Sequence, residues 1–134
     1  MNAVDTNILI YVHDPRDPIK QAKAEQLVAS LTDGVLLWQV ACEFVAASRK
    51  LAPFGFTVQQ AWREVRRLRS VWTTKLPTWA VADRAEALMN QFHLSYWDAM
   101  IVAVGLDAGI TQLYSEDFDH SAAATGLVVK NPFV

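Results

Sequence analysis

The sequence predicts an α/β fold in which helices cover both faces of a parallel β-sheet. Short apolar segments with strand character alternate along the chain with longer segments whose apolar residues recur at helical spacing. This alternation is typical of βαβ units, which place their helices on the two faces of a parallel sheet. A length of 134 residues fits one domain over residues 1–134, and a hydrophobic content of 52% is enough for a well-covered core.

The first elements are a buried strand and two helices. Residues 2–5 are predicted to form the strand, and a helical segment begins at Thr6. Asp17-Pro18 combines a capping acid with a proline in the first turn, which is a typical helix start. Asp33-Gly34 ends this second helix. Its inward face carries Ala24, Leu27, Val28 and Leu31.

The middle of the chain continues with a strand over residues 35–38 and a helix through Glu43 that stops near Pro53. Thr57 and Gln60 have the spacing of a capping box and open a further helix. Its predicted apolar stripe consists of Val58, Trp62, Val65, Leu68 and Trp72.

The last third contains three strands and two helices. A short edge strand is predicted over residues 74–76, and the last two strands over residues 111–114 and 127–130. Between them, one helix turns Val81, Ala85, Leu88, Met89 and Phe92 inward. A second helix begins at Ser95 and ends near Gly109.

Three acidic residues lie in apolar surroundings without a basic neighbour at helical spacing. Glu43 is the only charge in the stretch from Trp38 to Ala47, and Asp5 and Asp98 have similar settings. A carboxylate carried into an apolar interior is costly unless something compensates its charge. Uncompensated acids in three separate elements therefore suggest that one cation binds all of them.

The predicted topology brings a fourth acid to the same place. Ligands of such sheets bind at the carboxyl ends of the strands, where Asp5 and Asp117 each follow a strand. Glu43 and Asp98 lie in the first turns of helices that begin at the same rim. Carboxylates with water suit Mg²⁺ or Mn²⁺, whereas the three histidines and one cysteine lack the spacing of zinc ligands.

Each acid also has a purely structural explanation. Asp98 fits the third position of a capping box begun by Ser95, and Asp5 fits the cap of the segment that starts at Thr6. Asp117 fits a turn. Glu43 fits a tertiary contact with an arginine. Residue types alone leave these explanations and the metal site equally open.

Several short motifs occur in order along the chain. They are Asp5-Thr6-Asn7-Ile8-Leu9, the isolated Glu43, Leu94-Ser95-Tyr96-Trp97-Asp98-Ala99, Leu113-Tyr114-Ser115-Glu116-Asp117 and the terminal Val129-Lys130-Asn131-Pro132-Phe133. Their order resembles that of the PIN-domain ribonucleases, and in particular the VapC-type toxins of bacterial toxin–antitoxin pairs. The resemblance covers essentially the whole chain. Each motif alone is weak, but their order and spacing together are specific.

The resemblance implies a three-layer α/β/α sandwich and a Mg²⁺- or Mn²⁺-dependent endoribonuclease that inhibits translation or growth. It implies that Asp5, Glu43, Asp98 and Asp117 hold the metal. It also implies an RNA substrate, a homodimer and a small antitoxin that covers the site. Asp119 is a candidate to share or replace the role of Asp117. His120, near it, is a candidate for the rim of the site.

Polar and basic residues complete the candidate site. Thr6, Asn7 and Ser115 are expected to orient ligands or phosphate, although each also fits an ordinary turn or cap. Arg63, Arg66 and Arg67 share a helix face opposite the stripe of Trp62, Val65 and Trp72. This face is either simply solvated or binds the RNA backbone. The tryptophans are expected in the core rather than stacked on bases.

Bulk properties narrow the alternatives. The net charge of −2 is no argument against RNA, because removing the four candidate ligands from the count leaves 12 basic and 10 acidic residues. One cysteine, and the lack of a signal peptide or a membrane-spanning segment, predict a cytoplasmic protein without membrane contact. A haloacid-dehalogenase-type phosphatase fits poorly, because Asn7 stands where that family needs a second aspartate. A catalytically idle PIN-like scaffold is the remaining alternative.

Overall fold

Five short parallel strands lie at the centre of the structure, a computed structural model that describes residues 1–134 except for the side chain of His120. The strands are β1 (Asn2–Val4), β2 (Val35–Leu37), β3 (Thr73–Lys75), β4 (Gln112–Tyr114) and β5 (Val128–Lys130). Strand β4 pairs in parallel with both β1 and β5, and β2 pairs in parallel with β3. A bridge between Asn2 and Gly34 joins the two groups, giving the order β3-β2-β1-β4-β5.

Six α-helices flank this sheet. They are α1 (Thr6–Val12), α2 (Pro18–Ser30), α3 (Trp38–Ala47), α4 (Val58–Val71), α5 (Trp79–Phe92) and α6 (Tyr96–Asp107), with 3₁₀ segments at Ser48–Phe54 and His120–Thr125. Helix α1 packs against α2 and α3, while α5 packs against α6. The predicted α/β/α architecture around a parallel sheet is confirmed. None of the helices over the described residues is long and apolar enough to cross a membrane.

Local sequence explains where the helices begin. The side chain of Asp17 accepts a hydrogen bond from the backbone N–H of Lys20, and Pro18 occupies the first turn of α2. Thr57 and Gln60 form a complete capping box at the start of α4. Helix α2 ends at Ser30, before the predicted stop at residues 33–34. The 3₁₀ segment that contains residues 120–125 was not predicted at all.

The predicted placement of the tryptophans in the core is wrong for most of them. Trp72 is buried, with its ring against Gly34, where a Cβ atom would lie 2.4 Å from the indole. Trp38, Trp62 and Trp97, all expected in the core, are 48%, 50% and 61% exposed. Trp62 lies at the margin of the buried face of α4, which Val65 and Leu68 occupy, so helical periodicity alone overestimated the width of that face.

Candidate active site

The candidate site lies where the strand order reverses, between β1 and β4. In parallel sheets this point leaves a crevice at the carboxyl ends of the strands. The backbone N–H of Asp5 donates to the carbonyl of Tyr114 at 2.8 Å and so extends the pairing of β1 with β4. This contact places Asp5 beside the segment that follows β4, where the Ser115 hydroxyl donates to Asp5 Oδ2 at 2.8 Å.

Asp5 is both a helix cap and a member of the acidic site. Its Oδ1 accepts a hydrogen bond from the backbone N–H of Thr6 at 2.8 Å, so the carboxylate begins α1. Burial raises the pKa of Asp5, the hydrogen bonds from Ser115 and Thr6 lower it, and the charges of Asp117 and Glu43 raise it further. The structural explanation and the metal-site explanation are therefore compatible at this residue.

Glu43 on α3 is held by two neutral donors rather than by an arginine. Thr6 Oγ1 donates to Glu43 Oε2, and Gln39 Nε2 donates to Glu43 Oε1, both at 2.9 Å. Gln39 is one helical turn before Glu43 and also donates to the carbonyl of Trp97 at 3.4 Å. Neither donor neutralises the carboxylate, so Glu43 brings a negative charge to the cleft.

Asn7 connects α1 to the segment after β4. Its Nδ2 donates to Asp117 Oδ1 at 2.7 Å and to Ser115 Oγ at 3.2 Å. Its Oδ1 accepts from the backbone N–H of Glu116 at 3.3 Å. One amide side chain therefore fixes three successive residues of this segment and orients the exposed carboxylate of Asp117.

Asp98 lies in the first turn of α6, and its backbone N–H donates to the Ser95 hydroxyl at 3.2 Å. Burial raises the pKa of Asp98, as do the charges of Asp119, Asp117 and Glu43, against the hydrogen bond from Ser95. Asp119 therefore contributes to the negative field of the site. It also accepts hydrogen bonds from the backbone N–H and the hydroxyl of Ser121. The side chain of His120 lies outside the described residues.

The four predicted acids surround one open cleft of about 520 Å³, which Thr6 and Asn7 also line. These acids are Asp5, Glu43, Asp98 and Asp117. Among the described side chains, however, no three acidic, histidine or cysteine residues stand close enough together to hold a metal ion as they are. Glu43 and Asp117 are instead bound by Thr6, Gln39 and Asn7.

The cleft also contains further charged residues, including Arg16 and Glu116, which sequence reasoning missed. Arg16 and Lys50 line it from the side of the α1–α2 loop and the first 3₁₀ segment. Glu116 lines it as well and pairs with Lys20, which also donates to the Tyr11 hydroxyl. No local pattern indicates the pair of Glu116 and Lys20, because these residues are 96 positions apart in the chain.

The arginines of α4 are not among the residues that line this cleft. Arg66 is one turn after Trp62 and lines a second, apolar groove of about 990 Å³ with it. Arg67 pairs with Glu64 on the same helix. The prediction that all three arginines lie opposite Trp62 is therefore wrong for Arg66.

Known structures share this fold over nearly the whole chain. A toxin–antitoxin complex from Klebsiella pneumoniae contains a chain that is 23% identical, with a TM-score of 0.72 and 98% of both chains covered. VapC20 from Mycobacterium tuberculosis, described as a sarcin–ricin loop cleaving toxin, is 20% identical, with a TM-score of 0.72 and 96% and 97% coverage. VapBC-1 from nontypeable Haemophilus influenzae is 19% identical, with a TM-score of 0.65 and 98% and 97% coverage.

The sequence gives a family as well as a fold. No curated protein matches the chain. The sequence profile of the PIN domain matches residues 3–126, a range that includes all four acids of the cleft. The chain therefore belongs to the PIN domain family.

Proposed function

We propose that the chain is a Mg²⁺- or Mn²⁺-dependent endoribonuclease and the toxin of a toxin–antitoxin pair, inhibiting translation or growth. The observation that carries this proposal is the convergence of Asp5, Glu43, Asp98 and Asp117 on one cleft. Glu43 and Asp98 lie on α3 and α6, whereas Asp5 and Asp117 lie in the segments that follow β1 and β4 of this PIN domain. Helix capping explains Asp5 locally, but it does not explain why four carboxylates share one opening.

The carboxylates of the cleft are the right chemical groups for a hard divalent cation, although they must move closer together to hold one. The candidate ligands are all carboxylate oxygens, which Mg²⁺ and Mn²⁺ prefer. Asp5 and Asp98 are the proposed inner ligands, with Glu43 and Asp117 bound directly or through water. The bonds of Thr6, Asn7 and Ser115 to these acids orient the carboxylates, as partners of metal ligands commonly do.

The protein groups have separate tasks in the proposed hydrolysis. A bound cation would acidify a water molecule and offset charge on the scissile phosphate. Asp5 would hold it at the junction of β1 and α1, and Asp98 in the first turn of α6. Thr6 and Gln39 keep Glu43 turned toward the cleft, and Asn7 fixes Asp117. The open cleft leaves room for an RNA strand to reach these groups.

The proposed partners follow from the structural relatives and from the surface. The relatives include toxin–antitoxin complexes and a toxin described as cleaving the sarcin–ricin loop. We propose an RNA substrate, a cognate antitoxin that covers the cleft, and a homodimer. Trp38, Trp62 and Leu76 line the apolar groove and are exposed. An exposed apolar groove of this kind fits a dimer surface.

Cleavage of total RNA by the purified chain tests this proposal. We expect fragments in Mg²⁺ or Mn²⁺, none in EDTA, and defined ends when the cleavage sites are mapped. Asp98→Asn should remove the activity, whereas Asp83→Asn, a matched change on the exposed face of α5, should retain it. RNA that stays intact with every divalent cation would favour the catalytically idle scaffold instead.

Growth measurements test the toxin assignment separately. Induced expression of the wild-type chain should arrest a bacterial host, and expression of Asp98→Asn should not. If RNA is cleaved in vitro while the host grows normally under wild-type expression, the chain is a nuclease but not a toxin.

A further inference from the structure

Arg16 is held on the rim of the acidic cleft by a buried carboxylate. Its Nε donates to Asp14 Oδ1 and its Nη2 to Asp14 Oδ2, both at 2.9 Å. The backbone N–H of Arg16 also donates to Asp14 Oδ1, at 3.0 Å. Asp14 is buried, whereas the side chain of Arg16 is 52% exposed. The buried carboxylate of Asp14 therefore fixes the position of the exposed guanidinium of Arg16.

A second contact fixes the plane of the guanidinium. The Cζ atom of Arg16 lies 4.8 Å from the centre of the Phe54 ring. Phe54 belongs to the 3₁₀ segment Ser48–Phe54, which also carries Lys50. Arg16 thereby joins the α1–α2 loop to this segment, and both basic side chains face the cleft that Asp5 and Asp98 line.

The arrangement leaves most of the guanidinium available. A guanidinium has five N–H groups, and Asp14 accepts hydrogen bonds from two of them. The other three belong to an exposed group whose position two contacts have already fixed. A planar donor fork of this kind matches two oxygens of a phosphate, and its fixed position reduces the entropy lost on binding.

We propose that Arg16, assisted by Lys50, binds a backbone phosphate of the RNA next to the cleavage site. The inference rests on the proposed function, since it names substrate-binding residues of the same cleft. The acids repel an RNA backbone before a cation is bound. Arg16 and Lys50 are the basic residues that line the cleft, so they are placed to hold the strand against this repulsion.

Binding of a fluorescein-labelled single-stranded RNA of mixed sequence, followed by anisotropy, tests the inference. Every protein carries Asp98→Asn and is measured in EDTA, so the RNA stays intact. Arg16→Gln should weaken binding about tenfold. It should also reduce the slope of affinity against salt by about one. Arg16→Lys should restore the salt slope but not the affinity, because lysine keeps the charge and lacks the fork.

Two further variants separate binding from folding. Arg16→Gln leaves the buried Asp14 without its cation, so the double variant Asp14→Asn/Arg16→Gln is measured as well and should bind as weakly while melting cooperatively. Arg84→Ala removes an exposed arginine of α5 that does not line the cleft. It should change affinity by less than about twofold, because surface substitutions away from a binding site have small effects.

Kinetics distinguish this inference from the proposed function. In the protein with Asp98 intact, Arg16→Gln should raise KM about tenfold with little change in kcat. Wild-type cleavage together with unchanged KM, affinity and salt slope in Arg16→Gln would overturn the Arg16 site alone. An equal loss in Arg84→Ala, or no RNA binding by the Asp98→Asn parent itself, would overturn it too. A wild-type chain that does not cleave RNA would instead contradict the proposed function.

Discussion

At the scale of single residues, Asp98 has a higher pKa than an ordinary aspartate because it is partly buried among other acids. Burial is the largest cause, and Asp119, Asp117 and Glu43 add to it. A raised pKa means that the folded state binds a proton more tightly than the unfolded chain. The charged form therefore destabilises the fold at neutral pH, although the position of Asp98 near the start of α6 offsets part of this cost.

We predict that Asp98→Asn raises the melting temperature of the metal-free protein at neutral pH. The advantage should shrink as the pH falls through the raised pKa toward 3.8, the ordinary value for aspartate, because wild-type Asp98 then becomes protonated. Calorimetry in EDTA across this pH range measures the difference. A wild-type protein that is the more stable of the two at neutral pH would contradict the argument.

The hydroxyl of Thr6 holds the carboxylate of Glu43 in the cleft, so we expect its removal to lower activity. This hydroxyl donates to Glu43 Oε2 at 2.9 Å, a contact between residues that are 37 positions apart. Thr6→Val keeps the shape and removes the donor, so cation-dependent cleavage should fall about 10- to 100-fold. Thr6→Ser keeps the hydroxyl and should retain most of the activity. Loss of activity in Thr6→Ser but not in Thr6→Val would instead show that the methyl group, rather than the hydrogen bond, is what matters.

The sequence predicted the acids of the cleft better than it predicted their partners. Asp5, Glu43 and Asp98 were identifiable because a carboxylate in an apolar segment demands compensation. The bond from Asn7 to Asp117 joins residues 110 positions apart, and no local pattern indicates it. Arg16 was missed for a similar reason, because its role depends on a ring supplied by a later segment.

At the scale of elements, α4 presents arginines outside the cleft. We propose that Arg63, Arg66 and Arg67 bind the RNA backbone beyond the cleft, and we predict that changing all three to Gln raises KM while kcat changes little. The salt dependence of binding should also flatten, because fewer counterions are released. Kinetics at several salt concentrations measure both effects.

The contacts of these arginines also fit a role other than RNA binding. Arg67 already pairs with Glu64, and Arg66 lies beside Trp62 in the apolar groove. If the triple variant binds RNA as the wild type does, with an unchanged salt slope, the arginines only solvate or pack the surface of α4. A loss of secondary structure in the variant would instead indicate a packing role for Arg66.

The residues at which helices begin followed from the local sequence. Which face of a helix is buried depended instead on the elements packed against it. Asp17-Pro18 and the Thr57–Gln60 capping box begin α2 and α4 as predicted, because a cap is satisfied by residues within one turn. Which side of α4 is buried depends on the sheet and on Trp72. Periodicity could therefore identify Val65 and Leu68 as core residues while misplacing Trp62.

At the scale of the whole molecule, exposed aromatic side chains indicate a second binding surface, outside the acidic cleft. Trp38 and Trp62 line the apolar groove beside Leu76, and Trp79 is 87% exposed nearby in sequence. We predict that the protein is a two-fold homodimer in solution and that Trp38→Asp shifts it toward the monomer. Light scattering across micromolar concentrations measures this, and a constant monomer mass for the wild type would count against the prediction.

The alternation of strands and helices was enough to predict a parallel sheet covered on both faces. It did not predict the spatial order of the strands, which depends on the single bridge between Asn2 and Gly34 and on the pairing of β1 with β4. That order matters for function, because it places the ends of β1 and β4 side by side at the point where ligands of such sheets bind.

We propose that the carboxylates of this cleft bind a cation that drives RNA cleavage. Single-turnover cleavage of one mapped RNA during a Mn²⁺ titration tests it most directly, with wild type, Asp98→Asn and Asp83→Asn compared. Wild type and Asp83→Asn should show the same saturable Mn²⁺ dependence, and Asp98→Asn should be slower by more than about a hundredfold at every concentration. Cleavage that is independent of Mn²⁺, or that survives Asp98→Asn, would contradict the claim.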